Sequence, residues 1–274
     1  MIEAKNLTKK YADGTLALKN VSFKMDKNIT AILGRNGAGK TTLLRILSTQ
    51  LLPTSGIAYI NGLDVVKDAE KIRKIIVSIP QEAHPIRILT PLEHVITYLA
   101  AKRVGEKEAT QRAEKVLKKL EMSKEKNKLA GDLSGGMKRK IFVAMALASN
   151  AEVIFLDEPT TGLDPISRME VWSAIRELKG KTIITTHYLD EAKELADEII
   201  IMEGGKIEAQ GNLKQILKPF KKLARIEGKK IGKKYYKFGN TIISYVNKKN
   251  AKGLKGKPIT LEDAFILKGI KNEP

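Results

Sequence analysis

The densest chemistry in the chain lies at Gly34-Arg35-Asn36-Gly37-Ala38-Gly39-Lys40-Thr41, which fits the pattern G-x-x-x-x-G-K-[ST]. Glycines at this spacing let the backbone curl until several N–H groups point inward, so a polyphosphate is held without steric conflict. A helix following the loop adds its positive end. Lys40 would neutralise charge on the β- and γ-phosphates, and the Thr41 hydroxyl would ligand Mg²⁺. The alternative is a glycine-rich turn of no consequence. The apolar run Ile29–Leu33 before the loop and the helical pattern after it argue against that.

Val153-Ile154-Phe155-Leu156-Asp157-Glu158 is four apolar residues ending in two carboxylates. Alone it is a buried strand with a polar end. In a phosphate-binding α/β domain, Asp157 falls close to the bound Mg²⁺. Glu158, one residue on, would reach the attacking water as a general base or orienting group. Leu133-Ser134-Gly135-Gly136-Met137 is a second glycine turn, opening the helical pattern Lys138–Ala148. It reads equally as an ordinary capped helix and as a second anion-binding site. His187 follows the strand Thr182–Thr186, at the carboxyl end where ligands of open α/β sheets bind.

These residues need a scaffold, and the apolar pattern supplies one. Short runs rich in β-branched residues occur at Ile29–Leu33, Ile75–Ile79, Val153–Leu156, Thr182–Thr185 and Ile199–Met202. Helical stretches such as Thr41–Thr49, Arg168–Leu178 and Leu189–Ala196 lie between several of them, which predicts an α/β fold with a mostly parallel sheet. Ile2–Tyr11 and Leu16–Met25 read as two half-buried strands turning at Asp13-Gly14, an antiparallel β appendage. Residues 91–148 show no strand pattern and read as a helical insert. Its first helix opens at Thr90-Pro91-Leu92-Glu93 with a cap, a first-turn proline and a glutamate three residues on. A second runs over Glu106–Met122.

The chain has 274 residues, a net charge of +19 and no cysteine, which excludes disulfides, thiolate metal sites and cysteine nucleophiles. No stretch reaches the ~20 apolar residues of a membrane span, and the first residues lack a signal-peptide core. Residues 1–211 carry 33 basic and 27 acidic side chains, whereas 212–274 carry 17 and 4. That shift predicts a boundary near Gly211-Asn212, with a small, lysine-rich α+β appendage beyond it. Its strands are expected at Lys234–Lys237 and Thr241–Val246.

Taken together, the motifs resemble those of the ATP-binding subunits of ABC (ATP-binding cassette) transporters, over residues 1 to about 211. Gly34–Thr41 is similar to the family's Walker A loop, Leu133–Met137 to its signature and Val153–Glu158 to its Walker B strand. Gly162-Leu163-Asp164-Pro165 resembles the D-loop, Gln81 the Q-loop glutamine and His187 the switch histidine. Tyr11 stands where the family usually places the aromatic that stacks on adenine. Met137 replaces the signature's glutamine, and Arg35 stands where many relatives have proline or serine.

The resemblance implies a P-loop NTPase core that binds ATP and Mg²⁺ and hydrolyses the nucleotide. It implies Tyr11, Gly34, Asn36, Gly37, Ala38, Gly39, Lys40, Thr41 and Thr42 at the nucleotide, and Thr41, Gln81 and Asp157 at the metal. Glu158, His187 and Gln81 would serve the chemistry. Ser134 and Gly136 would touch the nucleotide of a second ATP-binding subunit, identical or paralogous, facing the first head to tail, and Gly135 and Asp164 would also serve nucleotide binding. A separate transmembrane permease subunit completes the implied assembly, at the cytoplasmic face of the cell membrane.

Ile259–Phe265 and Thr185–Ala192 resemble segments of ABC-2-type exporter subunits, which favours export. The competing reading is a soluble cassette ATPase serving a cytosolic assembly such as iron–sulfur cluster assembly. For the basic appendage, a solvated lysine face comes first and a membrane-facing patch second. Nucleic acid is disfavoured, although Tyr235, Tyr236, Phe238 and Tyr245 alternate with lysines as a stacking surface would.

Overall fold

Strands that are apolar without alternation must be covered on both faces, and the order of elements provides the cover. The structure, a computed structural model, describes residues 1–232, 234–238, 240–251 and 256–269. Strands β1 (Ile2–Lys10) and β2 (Leu16–Met25) come first, and β3 (Ile29–Gly34) leads into helix α1 (Lys40–Leu47). Next come β4 (Ser55–Ile60), β5 (Leu63–Asp64), α2 (Ala69–Ile75) and β6 (Ile76–Ile79). Helices α3 (Pro91–Ala101), α4 (Glu106–Lys119) and α5 (Gly135–Ser149) form the insert. Strands and helices then alternate: β7 (Val153–Asp157), α6 (Pro165–Arg176), β8 (Lys181–Thr186), α7 (Leu189–Leu195) and β9 (Glu198–Glu203). The chain continues through β10 (Lys206–Gly211), α8 (Leu213–Leu217), β11 (Leu223–Glu227), β12 (Tyr235–Phe238), β13 (Thr241–Asn247) and α9 (Leu261–Gly269).

The central sheet has the order β10-β9-β3-β8-β7-β6, parallel except for the edge strand β10. Period-2 geometry divides its side chains between two cores. Ala31, Leu33, Ile154 and Leu156 face the helical insert, while Ile32, Val153 and Phe155 face α1 and the antiparallel sheet. This is the α/β P-loop fold expected, with its antiparallel appendage and helical insert. The antiparallel sheet has four strands, ordered β2-β1-β4-β5. β4 and β5 add to the two strands expected there. Their signal was Asn61-Gly62, both at positive φ (49° and 82°), a hairpin turn between apolar runs.

Helix α3 begins as its sequence requires: Thr90 and Glu93 exchange side-chain and backbone hydrogen bonds around Pro91. Beyond Asn212, the three-stranded sheet β11-β13-β12 carries α9 against the main body. Ile216, Leu261 and Ala264 are buried in the same core as the helical insert, so apolar packing crosses the charge boundary. Tyr245 is buried, its hydroxyl donating to Asp263 Oδ1 at 3.0 Å, so it is core rather than stacking surface. Tyr235 and Tyr236 are exposed. The side chain of Phe238 and residues 270–274 lie outside the described residues.

Among the described residues Phe155 is the largest fully buried side chain, two residues before Asp157 on the strand that leads into the carboxylates. Phe155→Ala should cost about 3–5 kcal/mol of unfolding free energy, read from the denaturation midpoint at unchanged m-value.

Candidate functional site

Three neighbouring strands, β3, β8 and β7, end at one edge of the sheet, and their register aligns the residues that follow them. Leu33 pairs with Thr186 and Asp157 with Thr185, so the loop after Gly34, the two carboxylates and His187 emerge side by side. At the end of β3, Gly37 and Gly39 hold φ of 80° and 98°, which L side chains adopt only with strain. A Cβ on Gly39 would stand 2.5 Å from the Ala17 carbonyl oxygen, and one on Gly34 would stand 2.6 Å from that of Met202. The loop is therefore wedged in place by its glycines, and α1 opens directly behind Gly39.

Beside the loop lies a cavity of about 430 Å³, lined by Tyr11, Asn36, Gly37, Gly39, Lys40, Thr41, Thr42, Gln81 and Glu158 together with Thr15, Leu16 and Ala17. Ala38 is buried and does not line it. Tyr11 Oη lies 3.1 Å from Thr42 Oγ1, which fixes the ring at the cavity mouth. The Gln81 backbone oxygen accepts from Arg139 of α5 at 2.8 Å, linking this segment to the helical insert.

Lys40 is buried, donating to the carbonyls of Gly34 (3.0 Å) and Arg35 (3.2 Å) and pairing with Glu158 Oε1 at 3.3 Å. Thr161 Oγ1 (2.9 Å) donates to Glu158 Oε2, and His187 Nδ1 lies 3.0 Å from that oxygen. Burial alone would push the Glu158 carboxyl up. The Thr161 hydroxyl, the Lys40 ammonium and His187 outweigh burial and hold it below the usual carboxylate range. Glu158 also occupies left-handed backbone, φ 48°, where a residue other than glycine is uncommon. Its N–H donates to Thr185 Oγ1 (3.0 Å) and to the Thr185 carbonyl (3.1 Å), which anchors that conformation.

The oxygen donors suit Mg²⁺. Thr41 Oγ1 donates to the buried Asp157 Oδ1 at 3.1 Å, and Thr185 Oγ1 donates to the same oxygen. Among the described residues no group of three or more His, Asp or Glu side chains could hold a metal. One carboxylate and one hydroxyl match an ion that takes few protein ligands and completes its shell with phosphate oxygens and water.

Ser134, Gly135, Gly136 and Asp164 do not line this cavity. Ser134 caps α5, accepting from the Met137 N–H at 3.3 Å. Gly136 lies so close to α6 that a Cβ would stand 2.6 Å from Ser167 Oγ. Asp164 caps α6, accepting from the N–H groups of Ile166 and Ser167, both at 3.0 Å. Thr161 and Thr185 belong to the site although sequence reasoning did not single them out. Thr185 could have been found from its place in the strand run that ends just before His187.

A family model described as "ABC transporter" matches residues 18–161. The chain is 40% identical over 210 residues to ATP-binding cassette sub-family A member 2 of Homo sapiens, covering 75% of this chain and 9% of that protein. It is 37% identical over 212 residues to the daunorubicin resistance ATP-binding protein DrrA3 of Streptomyces coeruleorubidus, covering 76% of this chain and 67% of that one. The chain thus spans a small part of the human relative and two thirds of the bacterial one. A dimeric post-hydrolysis structure of the ATP-binding cassette MJ0796 with ADP and Pi superposes with a TM-score of 0.70 at 31% identity, over 78% of this chain and 99% of that one. With the phosphate loop, the paired carboxylates and the capped glycine turn all in place, the chain belongs to the ABC transporter family as an ATP-binding cassette.

Proposed function

We propose that the chain hydrolyses ATP with Mg²⁺ and powers export through a separate transmembrane permease subunit, at the cytoplasmic face of the membrane. The observation that carries hydrolysis is Glu158, ionised and bracketed by Lys40, Thr161 and His187 at the wall of the phosphate-loop cavity. The loop's N–H groups and Lys40 bind the phosphates, Thr42 supports them and Tyr11 stacks on the base. Thr41, Asp157 and Gln81 would hold Mg²⁺, which supplies neutralising charge at the phosphates. Lys40 exchanges its contact with Glu158 Oε1 for phosphate oxygens. That carboxylate oxygen is then free to accept from, and orient, the attacking water. His187 keeps the other oxygen in place and contacts the γ-phosphate.

Ser134, Gly135, Gly136 and Asp164 stand outside this cavity, which supports a head-to-tail arrangement in which they serve the nucleotide of a second cassette. Every residue given a role lies in an ATPase unit of residues 1–211, and 212–274 is the lysine-rich appendage attached to it. Export is supported by the likeness to a daunorubicin resistance protein and by Ile259–Phe265, whose α9 packs on the ATPase core. Among the described residues no helix is long and apolar enough to cross a membrane; the permease would supply the pathway.

Lys40→Ala should weaken ATP binding about 10- to 100-fold, the worth of hydrogen bonds to charged groups, read by calorimetry. Mixing tests the head-to-tail sites. Lys40→Ala and Ser134→Arg proteins should each be inactive, and an equal mixture should regain about a quarter of the wild-type rate through dimers with one intact site. No recovery on mixing would contradict the arrangement. Tagged protein purified from its own host's membranes in mild detergent with ATP and Mg²⁺ should bring down a stoichiometric polytopic protein. Recovery only with a soluble assembly would overturn the transport reading and leave the ATPase standing.

A further inference from the structure

One buried carboxyl outside the site joins three segments that carry it. Glu191 of α7 is fully buried, and so is Thr160, whose hydroxyl donates to Glu191 Oε1 at 2.6 Å. The indole N–H of Trp172 on α6 donates to the same oxygen at 3.0 Å. Thr160 lies between Glu158 and Thr161, the residue that donates to Glu158. Helix α7 starts two residues after His187, and α6 starts directly after Asp164. The loop bearing the catalytic carboxylate, the helix behind the histidine and the helix capped by Asp164 therefore meet on a single oxygen.

The outer side of this junction reaches His187 as well. Arg168 of α6 lies over the Tyr188 ring at 4.4 Å, and the Tyr188 and His187 rings are 4.1 Å apart. Burial pushes the Glu191 carboxyl up, against the donors from Thr160 and Trp172 and the nearby charge of Arg168. Glu191 Oε2 and Arg168 Nε are both buried without a hydrogen-bond partner among the described residues. A carboxyl placed in that setting costs free energy that an apolar side chain would not, so packing alone does not account for it.

We propose that Glu191 is a positioning residue for ATP hydrolysis: its Oε1 fixes loop 158–161 against α6 and α7, so that Glu158 and His187 keep their 3.0 Å contact. The proposal rests on the ATPase reading above. Trp172 is the chain's single tryptophan, so its indole N–H gives one ¹⁵N resonance that reports the Glu191 contact directly.

The test uses the full chain with Glu191→Leu, which removes the acceptor, and Glu191→Gln, which keeps a carbonyl oxygen there. The Leu variant should lower kcat at least about ten-fold with the ATP Kd within about two-fold, and move the indole resonance. The Gln variant should restore kcat to within about three-fold and return the resonance towards its wild-type position. If the Leu variant does not fold, Thr160→Val breaks one arm of the junction and should lower kcat about three- to ten-fold at unchanged Kd. Wild-type kcat in a folded Leu variant, an equal loss in the Gln variant, or a parallel loss of ATP binding would each overturn the proposal alone. A wild-type chain that binds no ATP would overturn the ATPase reading, and this proposal with it.

Discussion

The buried pair of Lys40 and Glu158 is the interaction on which the site depends. Both side chains are about as inaccessible as core residues, 5% and 6% exposed, and their charges are 3.3 Å apart. Such a pair is stable only when the remaining hydrogen-bonding capacity of both ions is met. Lys40 has three donors, and the carbonyls of Gly34 and Arg35 take the two that Glu158 leaves. Glu158 has its second oxygen on Thr161 and beside His187. The carbonyls face Lys40 because the loop curls, and the loop curls because Gly37 and Gly39 accept positive φ.

Sheet order turns this local network into a machine part. β3 lies between β9 and β8, with β7 next, so ends separated by more than a hundred residues in sequence are adjacent in space. A one-residue slip of β7 against β8 would move Asp157 away from Thr185 and turn its carboxylate to the other face. The fully buried runs on both faces, with Phe155 and Ile32 on one side and Leu156 and Leu33 on the other, make that slip prohibitive. The geometry of the site is thus a consequence of core packing. The left-handed backbone of Glu158 is one point where the scaffold bears strain, and there it aims a carboxylate.

Much of this was legible in the sequence because the signals were local. The glycine spacing from Gly34 to Gly39, the apolar run ending in Asp157-Glu158 and the Thr90–Glu93 cap each dictate their own conformation. What escaped was non-local. Thr161 and Thr185 are ordinary residues until folding sets their hydroxyls on Glu158 and Asp157. The packing of α9 against the main core was hidden by a lysine-rich surround, since charge density reports the surface and not the apolar face of Leu261 and Ala264. The strands β4 and β5 carried a readable turn at Asn61-Gly62, but their alternation was too short to stand out from the following helix.

The most direct test of the account is the pair of ATP turnover and ATP-dependent sedimentation in Glu158→Gln. This substitution keeps the side-chain shape and removes the carboxylate proposed to orient the water, so turnover should fall about 10²- to 10⁴-fold. ATP affinity should be retained, and ATP with Mg²⁺ should drive the protein from monomer to dimer. Turnover within a few-fold of wild type, or loss of ATP binding, would contradict the role given to Glu158.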